Sequence, residues 1–428
     1  MKRWRTETVA YARRALAFAL LLALLAWPFT ANAQSRAPSR NFVPAKLDRV
    51  GDYIRNEVAT GKIPGAVILI QQHGKPVYVR SFGARDVATM APMTADTIFR
   101  LYSMSKPITS VAAMILVDDG AIALDDPLSK FIPAFADVTV GVEARDDGGK
   151  AVLRLQRAGR PITVEDLLRH TSGITYGFYG DSPVRRLYAA SDLFEGDFDN
   201  AAFVARLAKL PLAEQPGALW DYGHSTDVLG RVIEVASGKT LYAFEKERLF
   251  DPLGMTETAF YLAPDKPRGR VAEPLPADRF DGPIAGLTDP ILPKRWESGG
   301  AGMIGTIGDY ARFLQMLLNG GTLEGRRYLK AETVALMTSD HVGPATHIAR
   351  GAMYFPGPDS GFGLGLAVRS VDDPPFVAGE YRWDGVGGTF FFVDPEDDMF
   401  AIVMMQSPSQ RSRIQDEVKR IIYEALER

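Results

Sequence analysis

Ser103 and Lys106 are spaced so that their side chains could carry out acyl transfer together. They open the apolar segment FRLYSMSKPITSVAAMILVDDG, residues 99–120, and residues three apart on a helix lie on the same face. A serine hydroxyl becomes a good nucleophile when a base takes its proton, and a lysine can be that base only when its pKa is lowered. The first helical turn would add a backbone N–H where an oxyanion forms. On this pair alone, Ser103 could also be a helix cap and Lys106 a solvated charge.

The segments that must position this pair predict a sheet built from both ends of the chain. An amphipathic helix over about 47–58 precedes a predicted hairpin of strands 66–71 and 77–82. Near the other end, two strand-like runs flank a turn at 394–398, and an amphipathic helix over about 414–425 follows. We therefore predict a mixed α/β (α+β) fold in which an antiparallel sheet is flanked by the two terminal helices.

The middle of the chain predicts a mainly helical lobe. Helical patterns such as DVLGRVIEVASG and DYARFLQMLLNGG end at glycines, as helices often do. We place this lobe at about 121–297, inserted into an α/β lobe formed by about 45–120 and 298–428. Within it, residues 263–300 contain seven prolines and little periodicity. A loop of that length is more often a binding wall or a lid than a spacer.

The first 33 residues are typical of a secretory signal peptide. Basic residues precede an apolar run from Ala15 to Trp27, and Ala31 to Ala33 provide a small-x-small cleavage signal. The apolar run is shorter than the ~20 residues of a membrane-spanning helix. We therefore expect a mature chain of residues 34–428 that is periplasmic or secreted, without a stable membrane anchor. The pattern does not decide between the general and the twin-arginine export routes.

Composition and charge exclude several classes of site. The chain has no cysteine, so it can have neither disulfides nor thiolate metal sites. Loss of the leader removes five basic residues and one acidic residue, which changes the formal charge from −3 to about −7 and argues against nucleic acid as a partner. The five histidines lack metal-ligand spacing, and we predict no metal site: His73, His170, His224, His341 and His347.

Seven segments occur in a fixed order along the chain. They are LYSMSKP, ITVEDLLRHTSGI, WDYGHSTDVLGRVIEVASG, DPLGMTET, SGGAGMIGTIGDYARFLQMLLNGG, GFGLGL and WDGVGGTFFFVDP. Together they resemble the serine β-lactamase and penicillin-binding-protein superfamily, and within it the class C-like branch that includes the family VIII carboxylesterases. The resemblance covers the chain from about Leu47 onward and implies the β-lactamase/transpeptidase-like fold.

The resemblance implies roles for individual residues. Ser103 would be the acylated nucleophile and Lys106 its base partner. Tyr222 matches the tyrosine of the family's Y-x-N motif, which shares proton transfer with the lysine. The oxyanion hole would pair the N–H of Ser103 with that of Val386, on the strand whose motif here reads Trp383-Asp384-Gly385.

Departures from the β-lactamase pattern point to neutral ester substrates. His224 stands where the lactamases have an asparagine that holds the substrate's amide. Trp383 replaces a lysine that meets a substrate carboxylate, and Asp384 would add a negative charge beside the site. Gly385 is expected where a backbone or ligand approaches closely. We expect all four residues to contact substrate.

Aromatic residues near these motifs could form an apolar acyl pocket. Tyr176, Phe178 and Tyr179 follow the HTSGI segment, and Phe280 and Trp296 lie in the Pro-rich loop. The alternative is that they are ordinary core residues. Among them, Tyr176 and Trp296 are our candidates for substrate contacts.

The sequence therefore predicts a serine carboxylesterase that needs no cofactor. Its partner would be a small-molecule ester or lactam substrate. The alternatives are a β-lactamase, a D-aminopeptidase or DD-carboxypeptidase-type amide hydrolase, or a catalytically silent binding protein on the same fold. A Ser-His-Asp α/β-hydrolase is disfavoured because the chain has no G-x-S-x-G motif. Acyl-chain length, stereoselectivity and oligomeric state are not determined by the sequence.

Overall fold

Both ends of the described chain contribute strands to one antiparallel sheet. The computed structural model describes residues 40–427 except 281 and 283–288. Numbered along the chain, the strands are β1 (Gly65–Gln72), β2 (Lys75–Asp86), β3 (Ala91–Pro92), β4 (Phe99–Arg100), β5 (Thr139–Arg145), β6 (Ala151–Arg157), β7 (Leu219–Trp220), β8 (Ile304–Gly305), β9 (Thr322–Leu323), β10 (Arg326–Arg327), β11 (Ala349–Arg350), β12 (Ser360–Phe362), β13 (Ala367–Arg369), β14 (Tyr381–Asp384), β15 (Phe390–Asp394) and β16 (Met399–Met405). Within these residues the main sheet has eight strands in the order β12-β13-β14-β15-β16-β1-β2-β3.

Helices occupy much of the rest of the described chain. They are Pro44–Ala59, Ser105–Asp118, Val164–Leu168, Pro183–Ala189, Asn200–Leu207, Ser225–Ser237, Leu241–Glu245 continuing as a π-helical turn Lys246–Phe250 into Asp251–Leu253, Ile307–Leu318, Ala331–Met337 and Arg411–Glu424. The helix Ser225–Ser237 ends at Gly238, whose φ of 70° closes the last turn as the sequence predicts.

The outer face of the sheet is covered by the two terminal helices. Ile54 of the first helix and Ile422 of the last pack with Ile68 of β1 and Phe392 of β15. The register that joins the two ends runs from Ala66 opposite Met405 along the full length of β1 and β16. The predicted antiparallel sheet, the N-terminal hairpin and both flanking helices are confirmed.

The inner face of the sheet packs against the remaining helices. Side chains of β1 and β16 that alternate with the outer set, such as Val67 and Ile402, join a core that includes Leu167 and Val232 from the middle of the chain. This core runs continuously from the sheet into the middle region, and residues from Arg40 onward form a single compact unit. The predicted boundaries between two lobes therefore stay a prediction.

One element of the middle region was not expected from the sequence. Strands β5 and β6 form a regular hairpin, with Thr139 opposite Arg157 and Arg145 opposite Ala151. The Asp146–Lys150 turn is closed by backbone hydrogen bonds, including Asp146 N to Lys150 O at 2.9 Å. The turn residues DDGG lie between two alternating runs, so the pattern was readable.

The predicted signal peptide, residues 1–33, lies outside the described residues. Among residues 40–427, gaps aside, no helix combines the length and the apolar character needed to cross a membrane.

Candidate active site

Ser103 lies in a short 3₁₀ turn, Tyr102–Met104, that leads into the helix Ser105–Asp118. Tyr102, directly before it, has a φ of 48°, a left-handed conformation that is costly for a tyrosine and that clusters at functional sites. The side chain of Ser103 does not cap the helix, because the N-cap position is Met104 and has no side-chain bond. The structure therefore does not support the alternative in which Ser103 is a helix cap.

Neighbouring segments hold this turn in place. The backbone N–H of Leu101 donates to Met303 O at 2.9 Å, and the N–H of Met303 donates to Ser105 Oγ at 3.1 Å. The hydroxyl of Tyr310 donates to Met104 O at 3.0 Å. Each of these bonds joins the start of the helix to the segment that follows residue 300.

Lys106 is one of the largest fully buried side chains among the described residues, with 1% of its surface exposed. Its Nζ lies 3.1 Å from Ser103 Oγ, 3.3 Å from Tyr176 Oη and 2.7 Å from Gly300 O. A carbonyl can only accept a hydrogen bond, so Nζ donates to Gly300. A neutral amine can donate to Gly300 and Tyr176 and keep its lone pair for the proton of Ser103.

The electrostatics of the site favour that neutral amine. Burial lowers the pKa of Lys106 to about 7, even though the nearby carboxylates of Asp227 and Asp384 raise it. A solvated lysine would be almost wholly protonated at neutral pH. The structure thus contradicts the alternative in which Lys106 is a solvated surface charge. It also meets the condition that a lysine base needs a lowered pKa.

Tyr222 stands on the wall that faces Ser103. Its ring centroid is 4.5 Å from Lys106 Nζ and 5.6 Å from the ring of Trp383. Burial raises the pKa of Tyr222 well above its ordinary value, although Ser103 and Trp383 act in the opposite direction. Within the described residues, the buried Tyr222 hydroxyl has no partner in good hydrogen-bond geometry, and Tyr222 lines the same cavity as Ser103.

Val386 reaches the site because Gly385 allows two backbones to approach. A Cβ on Gly385 would lie 2.3 Å from Leu101 O and 2.5 Å from Thr389 Oγ1. The N–H of Gly385 donates to Thr389 O at 2.7 Å, which closes the turn that carries Val386. Ser103 and Val386 consequently line the same cavity, the arrangement that an oxyanion hole requires.

A cavity of about 310 Å³ opens in front of Ser103. Its walls combine an aromatic part with a polar part formed largely by the start of the last helix. The lining residues are Ser103, Tyr179, Tyr222, Phe355, Pro356, Ala367, Arg382, Trp383, Asp384, Val386, Arg411, Ser412, Gln415 and Asp416.

Asp384 does not present the isolated negative charge that the sequence suggested. Its Oδ2 lies 3.3 Å from Arg411 Nε, and Arg382 is on the same wall. Burial raises the pKa of Asp384, while Arg411, Arg382 and Lys106 lower it. Burial outweighs the cations, so the pKa of Asp384 lies above its ordinary value, and Arg411 from the last helix pairs with the carboxylate. The expectation that Asp384 disfavours anionic substrates stays a prediction.

The other predicted contact residues lie behind the cavity. His224 is 1% exposed, and its Nδ1 is 3.0 Å from Asp227 Oδ2. Trp296 packs against Phe203, with ring centroids 4.6 Å apart. Tyr176 is also buried but contacts Lys106 directly. None of these three lines the cavity described above, so the geometry gives no support to substrate contacts by His224 and Trp296.

The sequence reasoning missed several residues of the site. Arg382, Arg411 and Phe355 form much of the cavity wall. Arg411 carried a weak signal, since a cation in the first turn of a helix is unfavourable to the helix dipole and needs another reason to be there. Asp227 carried one too, as a carboxylate on the apolar side of a helix.

The described residues of the Pro-rich loop contribute to the site from behind. None of its described residues lines the cavity in front of Ser103, and Gly300 at its end holds Lys106. In the part of the chain that the structure describes, no group of three or more His, Asp or Glu residues could hold a metal ion.

A family model named Beta-lactamase matches residues 50–424, which is most of the chain. The chain belongs to this family. The match includes every residue of the cavity and confirms the resemblance on which the site assignments depend.

Relatives and solved structures of the family include esterases. Esterase EstB of Burkholderia gladioli is 32% identical over 375 residues, 82% of this chain and 87% of EstB. Protein Rv1367c of Mycobacterium tuberculosis is 37% identical over 365 residues, 82% of this chain and 88% of that protein. The structure of EstCE1, described as a hydrolase with promiscuous acyltransferase activity, superimposes with a TM-score of 0.71 at 27% identity, covering 89% of this chain and 99% of EstCE1.

Proposed function

We propose that this family member is a serine hydrolase that cleaves carboxylic esters with short to medium acyl chains. The observation that carries the proposal is the buried Lys106 amine 3.1 Å from the hydroxyl of Ser103. Membership of the Beta-lactamase family and the names of its relatives EstB and EstCE1 support hydrolase and esterase activity.

Acylation begins when an ester carbonyl enters the cavity with its oxygen facing the N–H groups of Ser103 and Val386. Neutral Lys106 accepts the Ser103 proton while Oγ bonds to the carbonyl carbon, and the carbonyl electron pair moves onto oxygen. The two N–H groups stabilise this oxyanion. Its collapse breaks the bond to the alcohol oxygen and leaves the acyl group on Ser103.

Tyr222 is the proposed proton donor to the departing alkoxide. Tyr222 lines the cavity beside Ser103, its buried hydroxyl has no hydrogen-bond partner in good geometry among the described residues, and its raised pKa keeps it protonated before the reaction. Protonated Lys106 then returns a proton to the tyrosine. In the second half-reaction water attacks the acyl group by the same path, and the carboxylic acid and free Ser103 are released.

The cavity wall supports an ester with an apolar part. Trp383 stands where a lysine would otherwise meet a substrate carboxylate, and its ring lies beside Tyr222. Tyr179 and Phe355 extend the same apolar wall, with ring centroids 5.3 Å apart. Such surfaces bind acyl or alcohol groups by burial rather than by charge.

The test is the turnover of p-nitrophenyl butyrate and of the cephalosporin nitrocefin by the purified protein. We expect ester turnover to dominate and to fall by at least about 1,000-fold in Ser103→Ala. A serine-directed fluorophosphonate should label the wild-type protein and not this variant. Ser110→Ala is the matched control, because Ser110 is a buried serine on the same helix outside the cavity.

Labelling or ester turnover that persists in a folded Ser103→Ala variant would overturn the nucleophile. Nitrocefin turnover well above ester turnover would replace the ester proposal with a lactam or amide hydrolase. Absence of labelling in the wild-type protein would favour a catalytically silent binding protein on this fold.

A further inference from the structure

Asp227 is a carboxylate, 4% exposed, in the first turn of the helix Ser225–Ser237. Its Oδ1 accepts hydrogen bonds from Ser298 Oγ at 2.5 Å and from the backbone N–H of Gly300 at 3.1 Å. Its Oδ2 lies 3.0 Å from His224 Nδ1. An ionised carboxylate only accepts, so His224 carries a proton on Nδ1. All three contacts lie behind the cavity.

The same short segment holds the catalytic base. The carbonyl of Gly300 accepts the 2.7 Å bond from Lys106 Nζ, the shortest contact of that amine. A Cβ on Gly300 would lie 2.9 Å from Asp227 Oδ2, so backbone and carboxylate are in close contact. Asp227 therefore binds the backbone N–H of Gly300, and the carbonyl of the same residue accepts the hydrogen bond from Lys106.

We propose that Asp227 is a positioning residue that holds the Ser298–Gly300 segment so that Lys106 points at Ser103, and that its negative charge acts on the Lys106 amine. This inference rests on the function proposed above. It assigns to His224 a place in the support of the base, as the partner that orients Asp227, in place of a contact with substrate.

The charge on Asp227 is maintained by its surroundings. Burial raises the pKa of its carboxyl, but His224, Ser298 and Lys106 lower it by more, and the pKa lies below its usual value. The titratable groups that face Lys106 from other elements are Asp227, Asp384, Tyr176, Tyr222 and His170. Burial holds the phenols and the imidazole neutral, so the two carboxylates are the charges that stabilise the ammonium form.

Asp227→Asn removes the charge and keeps an oxygen that can accept from Ser298 and Gly300. Loss of a neighbouring negative charge lowers the pKa of Lys106, so more of the amine is neutral at low pH. In a plot of the Ser103 labelling rate against pH, the rise at low pH should therefore shift to lower pH by about 0.5–1 unit. Ser298→Ala keeps the charge of Asp227 and removes one of its hydrogen bonds. It should therefore lower the maximal labelling rate at high pH without shifting the pH at which the rate rises.

Two measurements test this on the full-length protein. The first is the pH dependence of the rate at which a fluorophosphonate labels Ser103. The second is the titration of the Lys106 Cε signal by NMR in protein with ¹³C-labelled lysine, assigned with Lys106→Met, which needs no activity. Asp309→Asn is the control, because Asp309 is a buried carboxylate that accepts from Thr258 and is not one of the carboxylates that raise the pKa of Lys106.

The expected result is a lower apparent pKa of Lys106 in Asp227→Asn by both methods, with Asp309→Asn matching the wild type. An unchanged Lys106 titration in a folded Asp227→Asn variant would overturn the inference whatever the activity. If the wild type is not labelled at Ser103, the proposed function fails instead, and the NMR titration still decides whether Asp227 acts on Lys106.

Discussion

Lys106 shows how one residue obtains its chemistry from burial. Desolvation disfavours its charge, and the three contacts with Ser103, Tyr176 and Gly300 hold the uncharged amine in a fixed direction. A lysine with the same spacing on an open helix surface would remain protonated at neutral pH and could not accept a proton. The ability of Lys106 to accept a proton from Ser103 thus depends on the buried surroundings as well as on the spacing of the two residues.

A pH profile tests this state of Lys106. Because burial lowers the pKa of Lys106 to about 7 and the neutral form is the base, kcat/KM for p-nitrophenyl butyrate should rise through pH 7 and reach a plateau above it. Lys106→Arg should lose this activity at every pH, since a guanidinium stays protonated. A limb centred near 10, the range of an ordinary lysine, would contradict the assignment.

At the scale of elements, the turn after β14 brings Val386 to the cavity that Ser103 lines. Gly385 lets this turn press against Leu101 O, so that Val386 arrives beside Ser103. The hydroxyl of Thr389 also donates to Leu101 O, at 3.3 Å. Two segments 288 residues apart in sequence are therefore held together by a side-chain to backbone hydrogen bond, and they carry the two residues proposed for the oxyanion hole.

Gly385→Ala should lower kcat by about 100-fold, because a Cβ 2.3 Å from Leu101 O must push the turn away from Ser103. Steady-state kinetics on p-nitrophenyl butyrate and a circular-dichroism spectrum would measure activity and fold together. Gly269→Ala is the matched control, since a Cβ there meets no heavy atom within 4 Å. A kcat within twofold of the wild type would refute this account of the turn.

At the scale of the whole molecule, the two faces of the sheet have separate tasks. The outer face and the terminal helices form one hydrophobic cluster without any cavity residue, while the inner face packs under the nucleophile helix. Phe391 of β15 contacts Tyr310 on that inner side. The hydroxyl of Tyr310 donates to Met104 O in the 3₁₀ turn that carries Ser103. The last helix takes part in both regions, because residues near its start, among them Arg411 and Asp416, line the cavity while Ile422 near its other end packs only in the outer cluster. We therefore expect the packing of Ile422 to affect stability without affecting catalysis.

Ile422→Ala should test that separation. The side chain is fully buried between the last helix and the sheet, and its truncation should cost about 2–5 kcal/mol of unfolding free energy while kcat at 25 °C stays unchanged. Urea unfolding and ester kinetics provide the two measurements. Leu336→Ala, at a position 38% exposed, should change the unfolding free energy by less than about 0.5 kcal/mol. A matching loss of kcat in Ile422→Ala would show that the two faces are coupled.

The sequence by itself determined the central strands and the terminal helices, and it singled out Ser103 and Lys106 as the candidate pair of the site. Alternation and helical spacing predicted β1, β2, β15, β16 and both terminal helices, because these patterns report which face of a single element is buried. The spacing of Ser103 and Lys106 made a contact between them possible but left the alternative of a cap and a surface charge open, and the ordered motifs of the family resolved it in favour of the pair. Ordered motifs added Tyr222 and Val386.

Only the tertiary structure decided which distant residues complete the site. Gly300 and Tyr176 reach Lys106 from 194 and 70 residues away, and Arg411 of the last helix pairs with Asp384. His224 turned towards Asp227 and away from the cavity. No local pattern carries such information, because side-chain partners across loops depend on how whole elements pack against one another.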